Sequence, residues 1–394
     1  MKKLRNVFLV IVLVSVFTGL GLYAFAPHAP AIPKQGINRA DLEAYLNQLV
    51  ASGNPPGLSL VVVKDGQIVY NRAFGYADGP HQTAATPDTV YHWWSVTKIP
   101  TAIAILQLQE RGLLTLDDTV VKYLPWFEVV YPSKDGDRAA ITLRHLLQHS
   151  SGLPDVVPAI IGWTHTDDAG RNQTELVRKF LPQYNKLKFL PGEKAIYSNL
   201  NYMVLGAVIE AVSGQLYESY LVENILQPLG MSRTGFVYSS AMSDHEAAGS
   251  LPVVHFYTPL LPFLVDTSTL IRERQAKLFW FERVYIDVTP STGLIGPASD
   301  LARLMLAYLN QGTLDGVSIL TPQSVSLMTN TPALDGCGLG WAVGQGYVAH
   351  DGGGPGFAAT MRLYPQHKLG IAVLANGTDL DRTGLADLLA NIDW

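Results

Sequence analysis

Ser95 and Lys98 are the residues whose types and spacing most directly indicate covalent chemistry in this sequence. They stand three positions apart in Ser95-Val-Thr-Lys98, immediately before the apolar run IPTAIAILQL. Residues three apart lie on the same face of a helix, so the serine hydroxyl and the lysine amine are expected to be neighbours. Burial beneath the apolar run disfavours the ammonium form and lowers the lysine pKa, which allows the amine to accept the serine proton. The pattern therefore predicts a serine nucleophile with a lysine base, and N–H groups at the helix start that stabilise an oxyanion.

The same residues also have a purely structural interpretation, in which Ser95 caps the helix and Lys98 extends its amine to water. Two features of the sequence favour catalysis instead. No other serine in the chain has a lysine three positions later. The bulky Trp93 and Trp94 also directly precede Ser95, where they could wall the approach of a substrate.

Strands are predicted at both ends of the chain, with helices between them. Residues 57–76 alternate β-branched and aromatic side chains around Asp65-Gly66, a dipeptide typical of a two-residue hairpin turn. Helical patterns follow, and further strands then precede a short C-terminal helix. The predicted helices cover 96–112, 142–149, 199–213, 299–311 and 382–391, and the late strands cover 340–350, 358–365 and 369–376. This order predicts an α+β fold in which an antiparallel sheet built from both chain ends is flanked by helices and carries an inserted helical lobe.

The composition indicates a globular protein that acts on a small partner. The 394 residues are 48% hydrophobic and 15% charged, which is enough apolar sequence for one large core or two packed lobes. The net charge is −5 and the basic residues are scattered, so no surface for nucleic acid is expected. A small-molecule or short-peptide substrate fits this balance better. The single cysteine, Cys337, excludes an internal disulfide.

The N-terminus has the pattern of a membrane anchor. Three basic residues among the first five precede an uncharged apolar run over residues 7–26, which at roughly 20 residues is long enough to cross a bilayer as a helix. The prolines that follow stiffen a short tether. We expect residues 1–36 to be anchor and tether, and residues 37–394 to be one catalytic domain outside the cytoplasm. The alternative is a cleaved signal segment, which would give a secreted or periplasmic protein.

From about residue 37 to its end, the sequence resembles the serine hydrolase family that contains class C β-lactamases, DD-peptidases and related esterases. The resemblance includes the Ser-x-x-Lys spacing at 95–98, which is found in β-lactamases and penicillin-binding proteins. It extends, in order, through GLSLVVVKDGQIVYNRAFGYAD, ITLRHLLQHSSGLP, LPGEKAIYSNLNYMVLGAVIEAVSG, STGLIGPASDLARLML and HDGGGPGF. It implies a β-lactamase/transpeptidase-like fold and a hydrolase that forms an acyl-enzyme on Ser95.

The resemblance assigns roles to a tyrosine and an asparagine as well. The family's Tyr-x-Asn motif matches Tyr197-Ser198-Asn199. Tyr197 would share proton transfer with Lys98, and Asn199 would orient the substrate or the lysine. A neighbouring ammonium stabilises a phenolate, so the pKa of Tyr197 is expected to be lowered.

The family's third motif is altered in this chain. Where many β-lactamases have Lys-Thr-Gly, this sequence has His350-Asp351-Gly352, followed by Gly353. Some DD-peptidases resemble it in carrying a histidine here, so His350, Gly352 and Gly353 are expected to bind the substrate. The resemblance implies that the N–H groups of Gly353 and Ser95 form the oxyanion hole. A neutral imidazole attracts a substrate carboxylate less strongly than an ammonium does, which weakens the interpretation as a β-lactamase.

Other interpretations of the sequence are less favoured. His145 and His149 lie four apart on a predicted helix, a spacing that can bind zinc, but the glutamate of metalloproteases is missing. Tyr45 and Tyr308 also precede an asparagine by two positions, and His350 could be a strand-end histidine bonded to the backbone. A membrane-tethered binding protein without turnover could keep the same scaffold, whereas the Gly-x-Ser-x-Gly of α/β-hydrolases is absent. We expect no metal and no organic cofactor.

The predicted reaction is the hydrolysis of an ester or amide, with a carboxylesterase activity favoured. An uncharged, hydrophobic acyl ester is the favoured substrate, as indicated by Trp93, Trp94, His350 and the apolar segment 251–285. The segment is expected to be a lid or an acyl-chain wall, or else an insertion packed on the helical lobe. The alternative is a DD-peptidase or β-lactamase acting on cell-wall peptides or β-lactams, because an extracytoplasmic anchor would place the site beside peptidoglycan.

Overall fold

A seven-stranded antiparallel sheet forms the centre of the molecule. The computed structural model describes residues 27–34, 36–131, 140–156, 164–166 and 172–394. Its strands are β1 Gly57–Lys64, β2 Gln67–Asp78, β3 Thr83–Ala84, β4 Tyr91–His92, β5 Thr164–His165, β6 Ser250–Pro252, β7 Ile271–Gln275, β8 Leu278–Phe281, β9 Tyr285–Ile286, β10 Ile295–Gly296, β11 Thr313–Leu314, β12 Val317–Ser318, β13 Ala342–Val343, β14 Val348–Gly354, β15 Phe357–Tyr364 and β16 Leu369–Ala375. The large sheet has the order β13-β14-β15-β16-β1-β2-β3, so it is assembled from both chain ends as predicted.

Helices cover both faces of this sheet. They are α1 Arg39–Ala51, α2 Lys98–Glu110, α3 Val120–Tyr123, α4 Leu143–Leu147, α5 Gln173–Tyr184, α6 Asn199–Ser213, α7 Tyr217–Leu221, α8 Leu261–Leu264, α9 Thr267–Leu270, α10 Thr289–Thr292, α11 Ala298–Leu309, α12 Pro322–Asn330 and α13 Arg382–Ala390. In the helical lobe, α2 and α6 are buried along most of their lengths. α6 ends at Gly214, whose left-handed backbone (φ 72°) suits a residue without a side chain.

Strand β1 explains why both faces of the sheet need cover. It pairs with β2 on one side and with β16 on the other, so it lies inside the sheet. Alternate side chains of a strand point to opposite faces. Leu58, Leu60 and Val62 pack in a cluster with α1 and α13, whereas Val61 and Val63 belong to the larger core shared with the helical lobe. The strand is therefore apolar on both faces, which is typical of a doubly covered sheet.

The segment 251–285 meets the large sheet where Trp280 lies against Gly79, just beyond β2, and where Phe281 lies against Gly356, between β14 and β15. It contributes to a small sheet of the order β6-β8-β7, and Ser250 N donates to Asn376 O just beyond β16, at 3.0 Å. Its inner side forms a separate apolar cluster that includes Leu261, Leu270 and Phe281. The segment therefore has a small sheet and an apolar cluster of its own, and its expected role as a lid, an acyl-chain wall or an insertion on the helical lobe stays a prediction.

Within the described residues, no helix is both long enough and apolar enough to cross a membrane. The anchor expected over residues 7–26 lies outside the described residues. That anchor and the division of the chain at residue 36 therefore stay predictions.

Candidate active site

Ser95 lies in a 3₁₀ turn, Trp94–Thr97, that leads directly into α2. The serine therefore precedes the α-helix by one tight turn. Residues three apart are eclipsed in a 3₁₀ turn, which brings Lys98 Nζ to 3.1 Å from Ser95 Oγ. Trp94 adopts a left-handed backbone with φ 48°, which is costly for a bulky residue and shows how closely this turn is constrained.

Lys98 is fully buried and makes three polar contacts through Nζ. Besides Ser95 Oγ, it approaches Asn199 Oδ1 at 2.7 Å and the carbonyl oxygen of Ser291 at 2.8 Å. Both of these oxygens can only accept, so each takes one N–H of the amine. A neutral lysine has two hydrogens, which leaves its lone pair directed at the Ser95 hydroxyl. Burial lowers the pKa of Lys98 well below its ordinary value, and the opposing charge of Asp155 is the smaller effect.

Tyr197 is the third member of the cluster and comes from the turn that precedes α6. Its hydroxyl donates to Ser95 Oγ at 2.7 Å, and its ring packs against the His149 ring, with centroids 4.4 Å apart and the planes tilted by 35°. Desolvation by the surrounding protein raises the pKa of Tyr197 above its ordinary value, although 37% of the residue is exposed. This direction is opposite to the lowered pKa expected from the sequence, because desolvation of the phenol exceeds the lowering effect of its bond with Ser95.

The serine hydroxyl thus lies between a lysine whose pKa is lowered and a phenol whose pKa is raised. A lowered pKa leaves more of the amine neutral, and so able to accept a proton, near neutral pH, whereas a phenol with a raised pKa stays protonated there. The arrangement suits Lys98 to the role of base and Tyr197 to that of proton donor.

Asn199 is positioned by an acidic residue that sequence reasoning missed. Asp155 Oδ1 accepts from the Asn199 backbone N–H at 3.0 Å and from Asn199 Nδ2 at 3.1 Å. This second bond fixes which side of the amide faces Lys98, because Nδ2 donates to the carboxylate and Oδ1 is left for the amine. Asp155 lies 44 residues before Asn199, and no local spacing in the sequence links the two.

His350 presents a neutral imidazole at the site. It lies in β14, is buried, and its Nδ1 is 2.9 Å from the Asp351 carbonyl oxygen. A carbonyl can only accept, so Nδ1 carries the hydrogen and Nε2 is an acceptor. Burial, with a smaller effect from the Lys98 charge, lowers the pKa of His350 to about 3. The bond to the backbone that was expected as an alternative is therefore present. The His350 ring nevertheless lies near the site, with its centroid 6.2 Å from that of the Tyr197 ring.

Gly352 and Gly353 point to opposite faces of β14. A Cβ on Gly352 would lie 2.1 Å from Trp93 O and 3.1 Å from Ser95 N, so this glycine lets the strand touch the nucleophile's turn. A Cβ on Gly353 would instead meet Arg382 Nη1 at 2.6 Å. Arg382, which sequence reasoning missed, also donates to Gly352 O at 3.2 Å. The role of the Gly353 N–H in an oxyanion hole stays a prediction.

The two tryptophans do not wall the substrate's approach as expected. Trp93 is fully buried and its Nε1 donates to Gly296 O at 3.0 Å. Trp94 is 4% exposed and packs beneath Gly354, so both rings support the turn from inside. Aromatic residues of this size are mostly buried when they adjoin a core helix, and the sequence did not reveal which side of the turn they occupy.

A cavity of about 360 Å³ opens beside Tyr197 and His350. Its outer wall contains Trp341, Tyr347 and Arg362. The Arg362 guanidinium stacks on the Tyr347 ring, 4.4 Å from its centroid, and bonds to Tyr364 and Asp387. This cation is already engaged, and the Asp351 carboxylate also lines the cavity, so the lining offers little attraction to an anion.

The remaining candidates from the sequence lie in structural positions. The Nδ1 atoms of His145 and His149 accept from the backbone N–H groups of Thr142 and Ser198, each at 3.2 Å. Among the described residues, no group of three or more His, Cys, Asp or Glu is arranged to hold a metal ion. The other two tyrosines with this spacing, at positions 45 and 308, are buried in α1 and α11.

Comparison with known proteins supports the same assignment. A family model described as Beta-lactamase matches residues 42–393. Protein flp of Staphylococcus aureus (strain MRSA252) is 28% identical over 344 residues, which are 86% of this chain and 63% of that protein, so this chain spans less than two thirds of its length.

Two solved structures share the fold. The octameric penicillin-binding protein homologue from Pyrococcus abyssi has a TM-score of 0.71 and 28% identity, covering 90% of this chain and 78% of that one. EstCE1, described as a hydrolase with promiscuous acyltransferase activity, has a TM-score of 0.68 and 24% identity, covering 89% and 97%. Because the family match takes in nearly the whole chain, this protein belongs to the β-lactamase family.

Proposed function

We propose that this protein hydrolyses uncharged acyl esters through an acyl-enzyme on Ser95. The observation that carries the proposal is the chemistry of His350. Its Nδ1 donates to a backbone carbonyl and its pKa is lowered to about 3, so it presents an uncharged acceptor to the site. A substrate with a free carboxylate would find no ammonium at this position.

The guanidinium of Arg382, which lies against Gly353, does not supply the positive charge that is missing at position 350. Arg382 lies on the face of the strand opposite Ser95, where it donates to Gly352 O and lies 3.8 Å from Asp351. Arg362 is stacked and bonded within the cavity wall. A neutral acyl group that packs on Trp341 and Tyr347 suits these surroundings better than an anion does.

The reaction follows from the proton order of the cluster. Ser95 Oγ attacks the ester carbonyl carbon while its proton passes to Lys98 Nζ, and the carbonyl oxygen becomes an oxyanion held by the N–H groups of Ser95 and Gly353. The bond between the carbonyl carbon and the alcohol oxygen then breaks, and Tyr197 donates its proton to the departing oxygen. Lys98 passes the proton that it took from Ser95 to Tyr197. Water attacks the acyl-serine in the reverse sense and releases the carboxylic acid.

A D-alanyl peptide of the cell wall is the second candidate. The similarity to a penicillin-binding protein homologue favours it, together with the extracytoplasmic location that we propose from residues 7–26. Such a peptide ends in a carboxylate, and the neutral His350 argues against it.

A substrate comparison tests the proposal. The purified full-length protein in detergent is assayed on p-nitrophenyl acetate, butyrate and octanoate, on a D-Ala-D-Ala peptide and on a fluorescent penicillin, with Ser95→Ala as the control. We expect ester hydrolysis that Ser95→Ala abolishes, with kcat/KM above that for the peptide. Turnover of the peptide or the penicillin that is faster than ester turnover would overturn the assignment as an esterase. Wild-type activity in Ser95→Ala would show that Ser95 is not the nucleophile.

A further inference from the structure

The segment between β6 and β7 carries an exposed apolar tip, which consists of Phe256, Pro259, Leu260, Pro262 and Phe263. Phe263 is 86% exposed, more than any other large apolar side chain of the described residues, and Phe256 is 65% exposed. The sequence from 256 to 265, FYTPLLPFLV, contains no charged residue. Clustered apolar side chains that face water mark an interaction surface.

The inner side of the same segment is also apolar. Leu261 is buried in α8, between the exposed Leu260 and Phe263, and it lines a narrow gap together with Trp94 and Pro355. A helical turn that is apolar on both its inner and outer sides needs a second apolar environment outside the protein.

The position of the tip relative to the N-terminus identifies that environment. His255, which adjoins the tip, contacts Asp379 with Nε2 3.0 Å from Oδ1. Asp379 also lines a surface cavity together with residues 29–32 of the tether, where Ile32 packs against α13 at Gly384. The tip and the tether therefore emerge on the same side of the molecule.

The length of the tether limits how far the tip can be from a bilayer. Ile32 lies six positions after residue 26, where the predicted membrane segment ends, and an extended chain of six residues reaches at most about 20 Å. If residues 7–26 lie in a bilayer, the side of the domain that carries Ile32 and Asp379 must face it closely.

We propose that the apolar tip inserts into the outer surface of the same lipid bilayer that holds the N-terminal segment. An uncharged, aromatic tip with adjacent prolines suits the boundary between headgroups and acyl chains, where apolar side chains enter by about 5–10 Å. Docking of this kind fixes the orientation of the domain and brings the gap beside Trp94 next to the lipid. The inference is independent of which ester or peptide Ser95 attacks.

Depth-dependent quenching tests the inference on the full chain. Cys337 is the only cysteine, so in a Cys337→Ser background Phe263→Cys is labelled with a polarity-sensitive fluorophore, and Leu216→Cys, at a site 51% exposed on the helical lobe, is the matched control. The proteins are reconstituted in phosphatidylcholine vesicles with bromine at shallow or deep acyl positions. We expect a blue shift and a loss of fluorescence for position 263, greater with shallow bromine, and neither effect for position 216.

Four outcomes would overturn the inference. Equal quenching at positions 263 and 216, or no vesicle association, would show that the tip does not enter lipid. A blue shift that is already present in detergent and is insensitive to bromine would place residues 7–26 or another protein surface on the tip. Disulfide formation between two unlabelled Phe263→Cys chains, together with fluorescence of the labelled protein that bromine does not quench, would assign the surface to a second copy of the chain.

Discussion

At the scale of single residues, the site is defined by how many hydrogens each group has to give. Lys98 meets two oxygens that only accept, so a neutral amine must direct its lone pair at Ser95. Tyr197 donates to the same serine oxygen from the other side. The lysine and the tyrosine are therefore not interchangeable, although both contact the nucleophile.

Removal of the amine should strongly reduce acylation. Lys98→Met fills most of the buried volume and deletes the base, and general-base assistance is ordinarily worth about a hundredfold to ten-thousandfold in rate. We expect a loss of that size in the acylation burst on an activated ester, with circular dichroism unchanged. Lys122→Ala, at an exposed position paired with Asp118, is the control and should retain the wild-type burst. A wild-type burst in Lys98→Met would refute the role of the lysine.

Removal of the Asp155 charge should shift the pH profile. The carboxylate raises the pKa of Lys98, and Asp155→Asn keeps an oxygen acceptor for Asn199 while it removes that charge. The base is the neutral amine, so kcat/KM rises with pH through the pKa of Lys98, and the rising limb should move to lower pH in the variant. An unchanged or upward-shifted limb, measured on a neutral ester, would contradict this coupling. Asp41→Asn in the remote cap of α1 should leave the profile in place.

An ammonium at position 350 should change the substrate preference. His350→Lys would place a long basic side chain where the neutral imidazole now lies, so carboxylate-bearing substrates should gain. We expect the ratio of kcat/KM for the D-Ala-D-Ala peptide to kcat/KM for the neutral ester to rise at least several-fold. His367→Lys, at an exposed turn position, serves as the control. A ratio that does not rise would show that charge at this position does not select the substrate.

At the scale of elements, the site depends on how closely β14 approaches the 3₁₀ turn that carries the nucleophile. Gly352 is the contact point, and no side chain fits between the strand and Trp93 O. Gly353 faces the other way, toward the flexible end of Arg382. The two adjacent glycines therefore serve different packing requirements.

Alanine substitutions should separate these two glycines. Gly352→Ala puts a Cβ 2.1 Å from a backbone oxygen, so the strand must move away from Ser95, and we expect ester hydrolysis to be nearly lost. Gly353→Ala keeps its N–H and displaces only a side-chain end, so it should retain much more activity. Gly235→Ala, where the nearest atom is 3.7 Å away, is the control. Steady-state ester kinetics would contradict this account if Gly353→Ala proved the more damaging of the pair.

At the scale of the whole molecule, buried neutral histidines should make stability depend on pH. Burial lowers the pKa of His92 to about 4 and that of His350 to about 3, and it lowers the pKa of His149 well below its ordinary value. Unfolded histidines titrate near 6.5, so below that pH the unfolded chain binds more protons, and each histidine costs about 1.4 kcal/mol of folding free energy per pH unit. The contribution is constant above pH 7 and is lost as the pH falls toward the folded pKa.

Thermal unfolding in detergent between pH 7.5 and 5.0 would measure this effect. We expect Tm to fall steadily below pH 6.5. It should fall less in His92→Gln, because this variant lacks one of the buried neutral histidines. His92 suits this test because it contacts Tyr238 and lies outside the Ser–Lys–Tyr cluster. A Tm that stays level to pH 5.0 would show that these histidines are not buried neutral in the folded protein.

Much of the fold was predictable because its signals are local. The Asp65-Gly66 hairpin, the glycine that ends α6 and the apolar run of β16 each act within a few residues. The site was predictable where a motif keeps its members together, as in Ser95 and Lys98. Asp155 and Arg382 were missed because they act across the fold, and the burial of Trp93 was missed because neither face of its turn is marked in the sequence.

The pairing of β1 with β16 also constrains how the chain can fold. β1 occupies residues 57–64, and the strand that covers one of its edges occupies residues 369–375, so the long intervening chain must be synthesised before that edge can be paired. Until then a nascent chain exposes an unsatisfied apolar strand, which is prone to misassociation, and closing so long a loop slows the final step. Shielding of this edge until β16 has been made is therefore expected to limit the yield of folded protein.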